Sequence, residues 1–198
     1  MLVYKERIKM VNELMWDILI IFIVASFCGW VVEFLKNNLF PKSTKLIHPS
    51  SFKIFKKKFI NPGFLRGPYL PIYGFGALLI IGISFLEITL LAKLILFFFS
   101  NIGIELFSGI ILLNYFNIRL WKYNKSDYKG IICLPYSIYF FIASVLFYFF
   151  IFPHYYAILN FIKSGFFRYI IIGLYFFFFI DVIRKLKELI KHKKIIKK

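Results

Sequence analysis

Long apolar runs, each about as long as a lipid bilayer is thick, dominate this chain, and its polar residues gather between them. A transmembrane helix needs about 20 mostly apolar residues. On that measure the pattern predicts five spans, at 17–35, 71–86, 88–117, 131–152 and 166–183. The two middle spans come from one apolar stretch, divided near Glu87, and Pro153 ends the fourth. The piece at 88–117 exceeds what a bilayer needs, which implies tilt, a kink near 100–103, or a portion outside the lipid. Lys5, Arg7 and Lys9 precede the first run, as in a signal peptide. No small-residue cleavage site follows, however, and the run is longer than a signal's apolar core, so the pattern predicts a retained helix. The predicted fold class is all-α: a polytopic helical membrane protein with a single membrane domain over 1–184 and a basic tail at 185–198.

Composition agrees. Hydrophobic residues make up 61% of the 198, with 28 Phe and 13 Tyr, against about 45–50% in soluble domains. Lys and Arg number 26 and Asp and Glu 9, a net charge of +17. Such a charge raises nucleic-acid binding as a possibility, but the basic residues lie between apolar runs and not along one soluble face, so no nucleic-acid partner is expected. Their positions set the orientation, because cytoplasmic loops carry the Lys/Arg excess. Five spans place 20 basic residues on one side, in the 36–66 and 118–130 loops and the tail, and 6 on the other. The N-terminus is thus predicted outside and the C-terminus inside, in the plasma membrane of a bacterium. Val182, Ile183, Leu186, Leu189 and Ile190 recur at helical spacing in the tail, which predicts an interfacial helix attracted to anionic lipids. The segment 52–60, FKIFKKKFI, reads as a shorter one.

Chemistry concentrates in two places. The stretch 61–77, NPGFLRGPYLPIYGFGA, holds Asn61, Gly63, Arg66, Gly67, Pro68, Pro71, Tyr73, Gly74 and Gly76 at the cytoplasmic end of the second span. Free N–H groups at a helix start, the positive end of its dipole and Arg66 all favour a nearby anion. Irregular backbone at membrane depth is tolerated only inside protein or beside water, so this loop either packs among helices or dips in as a re-entrant segment. The second place is a set of carboxylates in apolar surroundings: Glu33, Glu105 and Asp181. Ionisable residues within spans usually face the bundle interior or a cavity; Glu105, near mid-span, is the costliest and the leading candidate. Glu33 and Arg66 share a level and are expected to be within reach of an ion pair. Cys28 and Cys133 fall at different depths, so no disulfide is expected. His48, His154 and His192 are scattered and no phosphate-binding G-x-x-x-x-G-K-[ST] loop exists; neither metal, cofactor nor enzymatic activity is expected. Trp16, Tyr69 and Trp121 read as interfacial anchors.

The order Gly29-Trp30-x-x-Glu33, then the Gly/Pro block, Glu105-x-x-Ser108-Gly109, Trp121-x-Tyr123 and Gly130-Ile-Ile-Cys133-x-x-x-Ser137 resembles the ABC-transporter permease family of the CmpB type. The likeness covers roughly 26–140. Where that family usually has an acidic residue after the Trp, this chain has Lys122, and where it tends to have Arg after the loop Asn, this chain has Pro62. The resemblance implies a permease-like subunit moving a small solute, served by a separate cytoplasmic ATPase docked on the 36–66 or 118–130 loop. Two other readings of the residues stay open: a scaffold or regulator that binds anionic lipid, and a lipid-acting enzyme using Glu33, Arg66 and Tyr73.

Overall fold

A computed structural model describes residues 2–39, 45–46, 50–54, 57–116, 119, 121–122 and 130–196. Its helices are α1 (Leu2–Leu39), α2 (Pro71–Phe85), α3 (Leu90–Phe116), α4 (Leu134–Leu146), α5 (Tyr155–Lys163) and α6 (Phe166–Ile196). Among the described residues four helical runs are long and apolar enough to cross a membrane: Met10–Leu39, Leu90–Tyr115, Leu134–Lys163 and Phe166–Glu188. The expected set of about five apolar helices is therefore present, with α2 the short member. At about 1.5 Å per residue its 15 residues cover roughly 22 Å, less than the ~30 Å of a hydrocarbon core.

Burial follows the logic of a protein solvated by lipid. Phe99, Phe107, Phe150, Phe176 and Phe177 are exposed, whereas Ser26, Ser137, Glu105 and Asp181 are buried. Lipid accepts apolar surface freely, so it is the polar groups that turn inward. Helix α2 lies between α1 and α3, α4 packs on α3, and α6 lies along α1. Phe22 meets Phe178 edge-on at 5.7 Å between ring centres, and the Tyr175 hydroxyl donates to the Leu19 carbonyl at 2.7 Å. The wedge between α1 and α6 is filled by the irregular segment 62–70, whose Leu65 and Tyr69 join Ile20, Ile23, Leu159, Ile171 and Phe178 in the core.

Three features depart from the sequence pattern. Pro153 does not stop the fourth span. The chain widens into a π turn at Phe147–Ile151, tightens into a 3₁₀ turn at Phe152–His154 and continues as α5. A π turn shifts the backbone register locally, which lets the helical path pass a residue lacking an N–H. The tail is helical, as its spacing predicts, but is continuous with the last span: α6 runs unbroken to Ile196 because no Gly or Pro interrupts it after Gly173. Finally, the described parts of 52–60 are strand and not helix. Strands β2 (Ser50–Ile54) and β3 (Lys57–Asn61) pair antiparallel, Phe52 opposite Phe59, while β1 (Lys45–Leu46) pairs with β4 (Trp121–Lys122). Between α5 and α6 the chain turns through Gly165 at φ +55°, a left-handed conformation that glycine adopts without a Cβ penalty.

Candidate functional site

Asn61 organises the Gly/Pro segment. It is 3% exposed, and both ends of its amide are used. Its Oδ1 accepts from the Trp30 indole N–H at 2.8 Å and the Gly63 N–H at 3.0 Å. Its Nδ2 donates to the carbonyls of Leu65 at 3.2 Å and Arg66 at 3.0 Å. One side chain thereby closes the loop on itself and ties it to α1. Further on, the Gly67 N–H donates to Asp181 Oδ2 of α6 at 2.7 Å, and the Tyr69 hydroxyl reaches the Leu174 carbonyl at 3.3 Å. The Leu70 N–H donates to the Ser26 carbonyl of α1 at 3.0 Å. Ser26 lies seven residues before Glu33, roughly 10 Å along the helix axis. The loop thus descends beside α1 before α2 begins, which accounts for the short α2. Irregular backbone at that depth is supported on both sides by protein, as the lack of solvent partners requires.

Helix α2 starts at Pro71, where the missing N–H costs nothing, and then crosses α1 at very close range. A Cβ added at Gly29 would lie 2.2 Å from Tyr73 Cγ, and one at Gly74 would lie 2.4 Å from Ser26 Oγ and 2.7 Å from the Phe22 carbonyl oxygen. Gly76 has nothing within 4 Å of its position, so no packing contact explains it. Pro68 is half-buried in the loop. The close crossing sets Tyr73 between α1, α3 and α4. Its hydroxyl donates to Glu33 Oε1 at 2.9 Å, its ring meets Phe140 edge-on at 5.8 Å, and Glu105 of α3 is within electrostatic range of the phenol. Glu33 is also paired with Lys36 at 3.4 Å, and Lys36 lies 4.7 Å from the centre of the Tyr136 ring.

Glu33 and Tyr73 are therefore in contact, with Glu105 within electrostatic range of the phenol; Arg66 is not part of this group. The expected Glu33–Arg66 pair does not form. Arg66 is exposed and pairs with Glu188, because the descent of the loop turns it toward α6. Tyr69, expected as a belt anchor, is 2% exposed within the core. Cys28 and Cys133 are both free thiols. Among the described residues no group of three or more His, Cys, Asp or Glu is placed to hold a metal ion.

Sequence reasoning missed the polar contacts deeper in the bundle. Lys93 counted only as a topology charge, yet it is buried and donates to the Ser84 carbonyl at 2.8 Å and the Tyr148 hydroxyl at 3.3 Å. A cation over the last turn of α2 satisfies a carbonyl left over at a helix C-terminus. Asn101 donates to Ser144 at 2.9 Å, joining α3 to α4. Lys93, Asn101 and Glu105 share one face of α3 by their multiples of four, a signal legible in the sequence.

These features define a polytopic helical membrane protein with a buried polar site beside a segment that interrupts its helices. The chain belongs to the family described as "Putative ABC-transporter type IV", whose sequence profile matches residues 20–186. No curated protein and no solved structure matches the chain significantly.

Proposed function

We propose that this chain is the permease-like subunit of an ABC-type transporter, moving a small solute across a bacterial plasma membrane with a separate cytoplasmic ATPase. One observation carries the reading: Tyr73 of α2 is hydrogen-bonded to Glu33 of α1, with the buried Glu105 of α3 within electrostatic range of the phenol. Ionisable groups are expensive among lipid-facing helices and mark pathways when they turn inward together. Polar groups on three different helices can rearrange as the helices move, whereas a single satisfied residue cannot. The N-terminus lies outside in this reading, and the loops around 36–66 and 118–130 face the ATPase. ATP hydrolysis belongs to that partner and no catalysis to this chain. Eight basic residues from Arg184 onward hold the end of α6 against an anionic leaflet, each contributing roughly 1 kcal/mol near the surface.

Affinity purification of the tagged chain from its native membranes tests this. A nucleotide-hydrolysing subunit should copurify, and changes at Asn61 or Gly67 should release it or uncouple it. A second reading, a lipid-bound regulator that transports nothing, draws on the unbroken basic end of α6. A chain that purifies alone and supports no solute uptake in vesicles would favour that second reading.

A further inference from the structure

At the end of the bundle opposite the Gly/Pro segment, α1, α5 and α6 enclose a cleft of about 260 Å³ lined by Glu13, Trp16, Asn160, Lys163 and Arg168 over Ile20 and Ile171. That volume falls below the ~300–1,000 Å³ of sites for drug-sized ligands, so it suits a group of a few heavy atoms. Its floor is apolar, with Ile20 3% and Ile171 5% exposed. Its walls carry one acidic and two basic side chains, unevenly used. Lys163 is neutralised by Asp17. Arg168 lies 5.2 Å from the centre of the Trp16 ring. Among the described residues neither Arg168 nor Glu13 has an ion-pair partner, although both line the same cleft and have opposite charges. Two unmatched charges of opposite sign held apart are the complement of a ligand that carries both. The guanidinium is held beside an indole face, pre-oriented for bidentate contact with phosphate. Trp16 suits headgroup depth, where such aromatics gather.

We propose that this cleft binds a zwitterionic group, a phosphate joined to an ammonium as in phosphatidylethanolamine, with the phosphate on Arg168 and Asn160 and the ammonium on Glu13. The ligand comes either from a membrane lipid or from a soluble phosphoethanolamine. The site is independent of the transport reading, since it shares no residue with Glu33, Tyr73 or Glu105.

Native mass spectrometry of the purified, delipidated full chain, titrated with phosphatidylethanolamine and separately with phosphatidylglycerol, tests the proposal. The unsubstituted chain should retain phosphatidylethanolamine preferentially. Glu13→Gln should abolish that preference while keeping phosphatidylglycerol, and Glu13→Asp should restore it. Arg168→Gln should lower retention of both lipids on the order of tenfold, as loss of a charged hydrogen bond implies. Both positions are exposed, so the melting temperature should not move. Displacement of the lipid by soluble phosphoethanolamine assigns the site to the headgroup from either source; a lipid that resists displacement assigns it to the membrane. Equal retention of the two lipids by the unsubstituted chain, or unchanged phosphatidylethanolamine retention in Glu13→Gln and Arg168→Gln, overturns it.

Discussion

Replacing Gly74 by Ala adds one methyl group at the tightest point between α1 and α2. The new Cβ would sit 2.4 Å from Ser26 Oγ and 2.7 Å from both Phe22 Cδ2 and the Phe22 carbonyl oxygen. A hydroxyl can rotate and a ring can swing, but the carbonyl is α1 backbone, so the helices must move apart. That separation also strains the Leu70 N–H to Ser26 carbonyl bond, now 3.0 Å, which holds the loop at depth. Because the clash is with backbone, overpacking costs toward the upper end of its range, about 2–3 kcal/mol, and Ala returns about 1 kcal/mol through its helix propensity. The net loss is about 1–2 kcal/mol. Scaled at about 2–4 °C per kcal/mol for a chain of this size, thermal unfolding in detergent should shift down by roughly 2–8 °C. Gly76, on the same helix with nothing within 4 Å, is the internal control. Gly76→Ala should be neutral or up to about 1 kcal/mol stabilising. A Gly74→Ala protein that melts at or above the unsubstituted temperature, or a Gly76→Ala protein that loses as much, would refute the close-crossing argument.

Three further outcomes follow from the same geometry. Asn61→Ala leaves the Trp30 indole and Gly63 N–H groups and two carbonyls without their partner, at about 1–3 kcal/mol for each one that stays buried. Its melting temperature should fall more than that of any single loop-surface change, with altered Trp fluorescence as a second readout. Arg66→Ala breaks only the exposed pair with Glu188 and Glu188→Ala removes the exposed Lys185 contact as well, so each should change stability by about 1 kcal/mol or less in the same assay. Tyr73→Phe keeps the ring against Gly29 and Phe140 but removes the bond to Glu33. Stability should drop by about 0.6–1.7 kcal/mol, whereas solute uptake should fall on the order of tenfold or more; equal uptake would exclude Tyr73 from the path.

The helices were legible because a lipid-facing helix must be apolar over a bilayer's thickness, and runs such as 166–183 show that directly. The Gly/Pro block was legible as a special segment for the same reason in reverse: Pro and Gly concentrate where a helix cannot continue. What the pattern could not assign was partnership. Arg66 has no local signal that prefers Glu188, 122 positions away, over Glu33. Asp181 read as a carboxylate in apolar surroundings, but its partner is a backbone N–H of Gly67, which no side-chain pattern encodes. The β2–β3 pairing in 50–61 was hidden because alternating Lys and apolar residues fit a short interfacial helix nearly as well as a strand. The path past Pro153 depends on a π turn, a backbone adjustment with no distinct residue signature.

The central claim is that the chain works as a permease subunit through its Glu33–Tyr73–Glu105 site. Solute uptake by proteoliposomes holding the chain together with its copurified ATPase, compared between the unsubstituted protein and Glu105→Gln, tests it most directly. The account predicts that the variant keeps the ATPase bound and its melting temperature within a few degrees, yet loses ATP-driven uptake. Full uptake by Glu105→Gln, or no ATPase and no uptake with the unsubstituted chain, would contradict it.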